Sequence, residues 1–70
     1  MNRISQNGWT LRRSNNQPVL VNQAAISFRG DIATIVGGRP PTHFGSTGRV
    51  WTKAGGEYFP SVFDLEWVKD

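Results

Sequence analysis

The sequence predicts an all-β domain of about five strands. Three observations carry that expectation. No stretch sustains a 3.6-residue apolar period. Gly or Pro recurs about every ten residues from Gly30 onward, too often for helices of useful length. The runs between these breakers are rich in β-branched and aromatic residues, Ile32-Ala33-Thr34-Ile35-Val36 most of all.

In chain order, Met1 to Asn7 is polar and is expected to fray as a flexible N-terminus, leaving 8–70 as one domain. Trp9 to Arg13 reads as a short strand. Ser14-Asn15-Asn16-Gln17 reads as a turn, because Asn tolerates positive φ and its side chain closes local bonds. Pro18 to Val21 reads as a strand start or edge, where Pro's missing N–H costs nothing. Ala25 to Phe28 alternates and runs into a turn at Arg29-Gly30-Asp31, and Ile32 to Val36 is the next strand. Gly37 to Gly45, with Pro40 and Pro41 inside it, reads as a long loop.

Ser46 to Lys53 is then a strand, Ala54-Gly55-Gly56 a tight hairpin connection and Glu57 to Phe59 its return. Pro60 to Phe63 reads as a 3₁₀ turn and Leu65 to Val68 as a closing strand. Strand, long loop, three strands joined by short turns, a 3₁₀ turn near 60–63 and a final strand is the layout of a small SH3-like barrel. Closure removes the exposed edges that a chain without helices cannot cover otherwise. A five-stranded OB-like barrel is the runner-up, but it calls for a helix between its third and fourth strands and no segment fits one.

The chain has 70 residues and no cysteine, which excludes disulfides and thiolate metal sites and points to the cytosol. Its start does not read as a signal peptide, and no run approaches a membrane span. The large side chains are Trp9, Phe28, Phe44, Trp51, Tyr58, Phe59, Phe63 and Trp67; a knot of a few of these rings is expected to form the core, and any left exposed are candidate contact residues. The net charge of +3 is uneven. Residues 1–56 set seven cations against Asp31 alone, whereas residues 57–70 set Lys69 against Glu57, Asp64, Glu66 and Asp70.

Several segments share a further character. Phe28-Arg29-Gly30-Asp31, Gly38-Arg39-Pro40-Pro41, Ser46-Thr47-Gly48-Arg49-Val50, Tyr58-Phe59-Pro60-Ser61-Val62-Phe63 and Leu65-Glu66-Trp67 together resemble a group of small proteins encoded by bacteriophages and prophages. The resemblance runs from Phe28 to Trp67 and is most specific from Pro41 onward. It implies a phage or prophage origin, a small β barrel and residence in the bacterial host cytoplasm. It implies no mechanism, because that group has no assigned activity. Asn15-Asn16 stands where the group's pattern has a turn with Gly.

Catalytic readings are weak. His43 is the only histidine. Ser46 or Ser61 with His43 and Asp64 lacks a nucleophile elbow. Asp64 and Glu66 are expected on one strand face, yet a barrel this small leaves little room for a substrate. Gly37-Gly38-Arg39 lacks the Lys-Ser/Thr pair and helix of a phosphate loop. Arg29-Gly30-Asp31 is an ordinary turn sequence. The expectation is a non-catalytic protein without cofactor or metal.

Two binding surfaces remain. Alternation over residues 49–53 separates Val50 and Thr52 from Arg49, Trp51 and Lys53. If the second set faces outward, an aromatic between cations suits single-stranded nucleic acid, with Arg12, Arg13 and Arg39 extending the field. A Trp beside a Val usually has the stronger claim on the interior, so the sequence favours Trp51 in the core. The other surface is the loop carrying Arg39, Pro40, Pro41, His43 and Phe44, with Phe44 either a partner anchor or a plug over one barrel end. The acidic end would repel nucleic acid and the net charge is small. A protein-interaction module acting on a host bacterial protein is therefore the leading reading, and nucleic-acid binding the alternative.

Overall fold

The computed structural model describes residues 2–43 and 45–70. These form an all-β protein of two antiparallel sheets, with no α-helix among the described residues. The first sheet is β1 (Ser5–Gln6), β2 (Trp9–Arg13) and β7 (Leu65–Lys69), in the order β1-β2-β7. The second is β3 (Gln23–Ile26), β4 (Ile32–Arg39), β5 (Arg49–Thr52) and β6 (Glu57–Tyr58), in sequential order. The 3₁₀ turn Pro60–Phe63 links β6 to β7. Pro60 sets φ at its start, and Asp64 closes it in the left-handed region at φ 58°.

Most turns follow their side chains. Asn16 adopts φ 71°, and Asn15 Oδ1 accepts from the Gln17 N–H at 3.0 Å. Gly55 takes φ 99° in the β5–β6 hairpin, where Gly56 N–H also reaches Thr52 Oγ1 at 3.3 Å. β5 separates its residues into the two expected sets, and the set carrying Val50 and Thr52 is the buried one while Trp51 is exposed.

Four expectations are corrected. The Pro18–Val21 segment makes isolated bridges, Arg12 to Pro18 and Arg3 to Leu20, rather than a ladder. Its groups divide between two neighbours, with Val19 N–H donating to Leu11 O and Val21 N–H to Asn2 O. Gly37 and Gly38 belong to β4, not to a loop, so the connection to β5 spans 40–48. A side chain at Gly38 would meet Arg49 O at 2.5 Å and Trp67 at 3.0 Å, so the missing Cβ is what lets β4 continue there. The N-terminal segment is docked on the domain, since Ile4 is buried and donates its N–H to Val19 O at 2.9 Å.

The core itself is the fourth correction. It is mainly aliphatic, comprising Ile4, Leu11, Val19, Ile35, Val50 and Leu65, with Phe63 and Trp67 the two rings inside. Trp67 still satisfies its indole, donating Nε1–H to Arg49 O at 3.1 Å. Buried Thr10 is satisfied too, bonding Ser5 Oγ and Asp70 Oδ1. One irregularity matters for the outer face. Ile35 opposes Thr52 and Gly37 opposes Trp51, so Val36 is an extra residue, a β-bulge in β4.

Candidate functional site: an apolar groove between two hairpins

The groove begins with the β3–β4 turn. Ser27 O accepts from Gly30 N–H at 2.8 Å, and Ser27 Oγ accepts from the N–H groups of Arg29 and Asp31. Gly30 supplies φ 89°, which the turn requires. Closed this way, the turn leaves Phe28 pointing into solvent, 76% exposed. The Phe28 N–H donates to Val62 O at 2.9 Å, fastening the hairpin tip to the 3₁₀ turn.

Behind the tip, Ile26 and Ile32 are cross-strand partners at 62% and 74% exposure. Across from them stands the β5–β6 hairpin with Tyr58, 41% exposed and edge-on to Phe63 at 5.5 Å between centroids. Between the two hairpins lies an open groove of about 840 Å³. Phe28, Ile32, Ala33, Tyr58, Val62 and Phe63 give it apolar walls. Arg29, Asp31 and Lys53 supply its charges. Burying side chains of this size under a partner is worth about 1.5–3 kcal/mol each. Sequence reasoning missed this site. Residues 26, 28 and 32 read only as parts of two strands, with nothing to say which side chains would be exposed, and only tertiary packing brings Tyr58 opposite them.

The residues expected to bind are dispersed. Arg12 and Arg13 belong to the three-stranded sheet, whereas Arg49, Trp51 and Lys53 lie on or beside β5 in the other sheet. Arg12 donates to Asn16 O at 2.9 Å, and Arg13 reaches Ala24 O at 3.3 Å while its buried Nε has no partner among the described residues. Arg49 forms an ion pair with Glu57, Nε to Oε1 at 3.6 Å, and lies over the Phe59 ring at 4.2 Å. Trp51 faces outward, contrary to the expectation from its size, because Gly37 opposite it leaves room for the indole on the outer face.

In the 40–48 connection, Pro40 is buried, Pro41 is half-buried and Arg39 and His43 are exposed. Phe44 lies outside the described residues. His43 Nδ1 bonds Thr42 Oγ1 at 3.2 Å, and among the described residues its ring makes no hydrogen bond to a serine hydroxyl or to Asp64. Asp64 caps the 3₁₀ turn before β7 begins, so it does not share a strand face with Glu66 as expected. No family model, curated protein or solved structure matches this chain.

Proposed function

We propose that this chain is a non-catalytic binding module of SH3-like architecture that docks a protein segment between its two hairpins. The observation that carries the reading is the convergence of exposed Phe28, Ile32 and Tyr58 on one groove. Large apolar side chains gathered on a small soluble domain mark an interaction surface. Three features favour the SH3-like assignment: β2 pairing with β7, the β4-β5-β6 meander, and the 3₁₀ turn between β6 and β7. The occupant that fits is an extended segment with bulky apolar side chains and an acidic residue for Arg29 and Lys53. The resemblance to phage-encoded proteins makes a host bacterial protein its source.

Selection of random peptides on the immobilised protein, followed by NMR titration of an enriched peptide, tests the reading. Enriched peptides should combine apolar and acidic residues, and should perturb Phe28, Ile32 and Tyr58. Enrichment of basic peptides, or perturbations confined to other surfaces, would count against it.

A second reading, nucleic-acid binding, is favoured by one observation: Trp51 is exposed on the outer face of β5, the strand that also carries Arg49. Single-stranded oligonucleotides should then bind with a log–log salt slope near −0.7 for each phosphate contacted. Absence of binding at low salt removes this reading.

A further inference from the structure

One glycine presses the start of β5 against the end of β4. Gly48 is buried at φ 75°, and a Cβ there would strike the Arg39 carbonyl oxygen and lie 2.8 Å from Trp67 Cδ1. That approach sets Arg39 directly opposite Arg49 across the ladder. Opposed residues share a sheet face, and like charges so placed destabilise the pairing. The Arg49–Glu57 contact is the one ion pair among the described residues, and it serves Arg49 alone. Two cationic residues are therefore paired across the ladder, and only Arg49 has a carboxylate partner among the described residues.

Arg49 is also oriented in advance. Phe59 lies beneath it, one Nη donates to Gly48 O at 2.9 Å, and Nε points at Glu57. The other Nη keeps both N–H groups without a partner among the described residues. Beside the pair opens a polar pocket of about 350 Å³, whose lining includes Arg39, Arg49, Thr42, His43, Ser46 and Thr47. Ser46 Oγ accepts from Gly48 N–H at 3.3 Å, which leaves its own proton to donate.

We propose that this pocket is an oxyanion site for the phosphate group of a phosphomonoester, with Arg39 and Arg49 as its charge-assisted donors. One arginine fork satisfies a planar carboxylate. Here donors come from two strands and a connecting loop, an arrangement suited to a tetrahedral group with three terminal oxygens. A monoester carries a charge of about −1.5 to −2 at neutral pH, enough to offset both guanidiniums. A diester backbone would need a track of cations, whereas Arg12 and Arg13 lie on the other sheet and Lys53 borders the groove. None of the six pocket residues named lines the groove, so this site stands or falls apart from the proposed docking function.

The test is amide NMR titration of the whole chain with inorganic phosphate, with phosphoserine, acetate and an oligothymidylate lacking terminal phosphate as separate arms. Phosphate and phosphoserine should saturate shifts at Arg39, Thr47, Gly48 and Arg49. Phosphoserine should bind about tenfold or more tightly than acetate. Arg39→Ala should weaken phosphate binding at least about tenfold, and Arg39→Lys should fall between, because the bidentate fork is lost. Arg39→Ala should keep or raise the unfolding midpoint, since it relieves the like-charge pair. Equal affinity for phosphate and acetate, or unchanged affinity in Arg39→Ala, would mean an adventitious ion only and overturn the site. Oligothymidylate binding as tightly as phosphoserine would replace a point site with a backbone track and overturn it as well.

Discussion

Trp51 lies against the backbone of Gly37, its directly opposed partner in the β4–β5 ladder. A Cβ on Gly37 would sit 2.8 Å from the indole Nε1. Glycine at one position is thus the reason an indole fits flat on the outer face at the other. Gly37→Ala should push the ring outward, and because Trp51 is partly exposed it has somewhere to go. The expected net change in stability is within about 1 kcal/mol, with a clear shift of the Trp51 indole N–H resonance. An unshifted resonance would mean the contact does not set the ring's position.

Gly48→Ala should be far more damaging. The obstacle there is backbone, the Arg39 carbonyl, and φ 75° is itself unfavourable for a residue with a Cβ. Strain and collision together should cost about 3 kcal/mol or more, read from urea denaturation. A cost similar to that of Gly37→Ala would show that the β4–β5 junction is looser than described.

Ile4→Ala should cost about 2–4 kcal/mol, the range for truncating a buried aliphatic side chain. Ile4 is 6% exposed and its backbone bonds Val19 and Leu11. A cost below about 0.5 kcal/mol, the level of an ordinary surface change, would place the N-terminal segment outside the cooperative unit.

Phe28→Ser and Ile32→Ser should leave stability within about 0.5 kcal/mol of the parent, because both side chains already stand in water. Binding of a groove-selected peptide should fall at least about tenfold for each, the loss of one buried apolar contact. A large stability loss with unchanged peptide binding would assign these residues to the fold instead of to a partner.

Local chemistry made part of this molecule readable. Asn15-Asn16, Arg29-Gly30-Asp31, Ala54-Gly55-Gly56 and Pro60 mark turns because each carries its own backbone preference or its own hydrogen-bond acceptor. The alternation of residues 49–53 separated two faces but could not say which was inside. Size argued for Trp51, and the answer depended on Gly37 across the ladder. Ile4 went unseen as core because it stands alone among polar neighbours, and Val19 because the apolar run Pro18 to Val21 has no alternation to single it out. Gly37 and Gly38 read as loop because glycine disfavours strands, yet each is the space a tryptophan occupies. The groove was beyond reach for a similar reason, since its two walls are joined by contacts between positions near 28 and near 60.

Val36 has an effect larger than its size. In a strand of unbroken alternation, an inward Ile35 would turn Gly37 and Arg39 inward too, and a guanidinium would meet aliphatic carbon. The inserted backbone unit shifts the phase by one step, so Gly38 meets Val50 inside and Arg39 emerges beside Arg49. Excising that one residue would leave Gly37, Gly38 and Arg39 with the partners and faces they already have, whereas forcing Val36 into the ladder would transpose inside and outside for the rest of the strand.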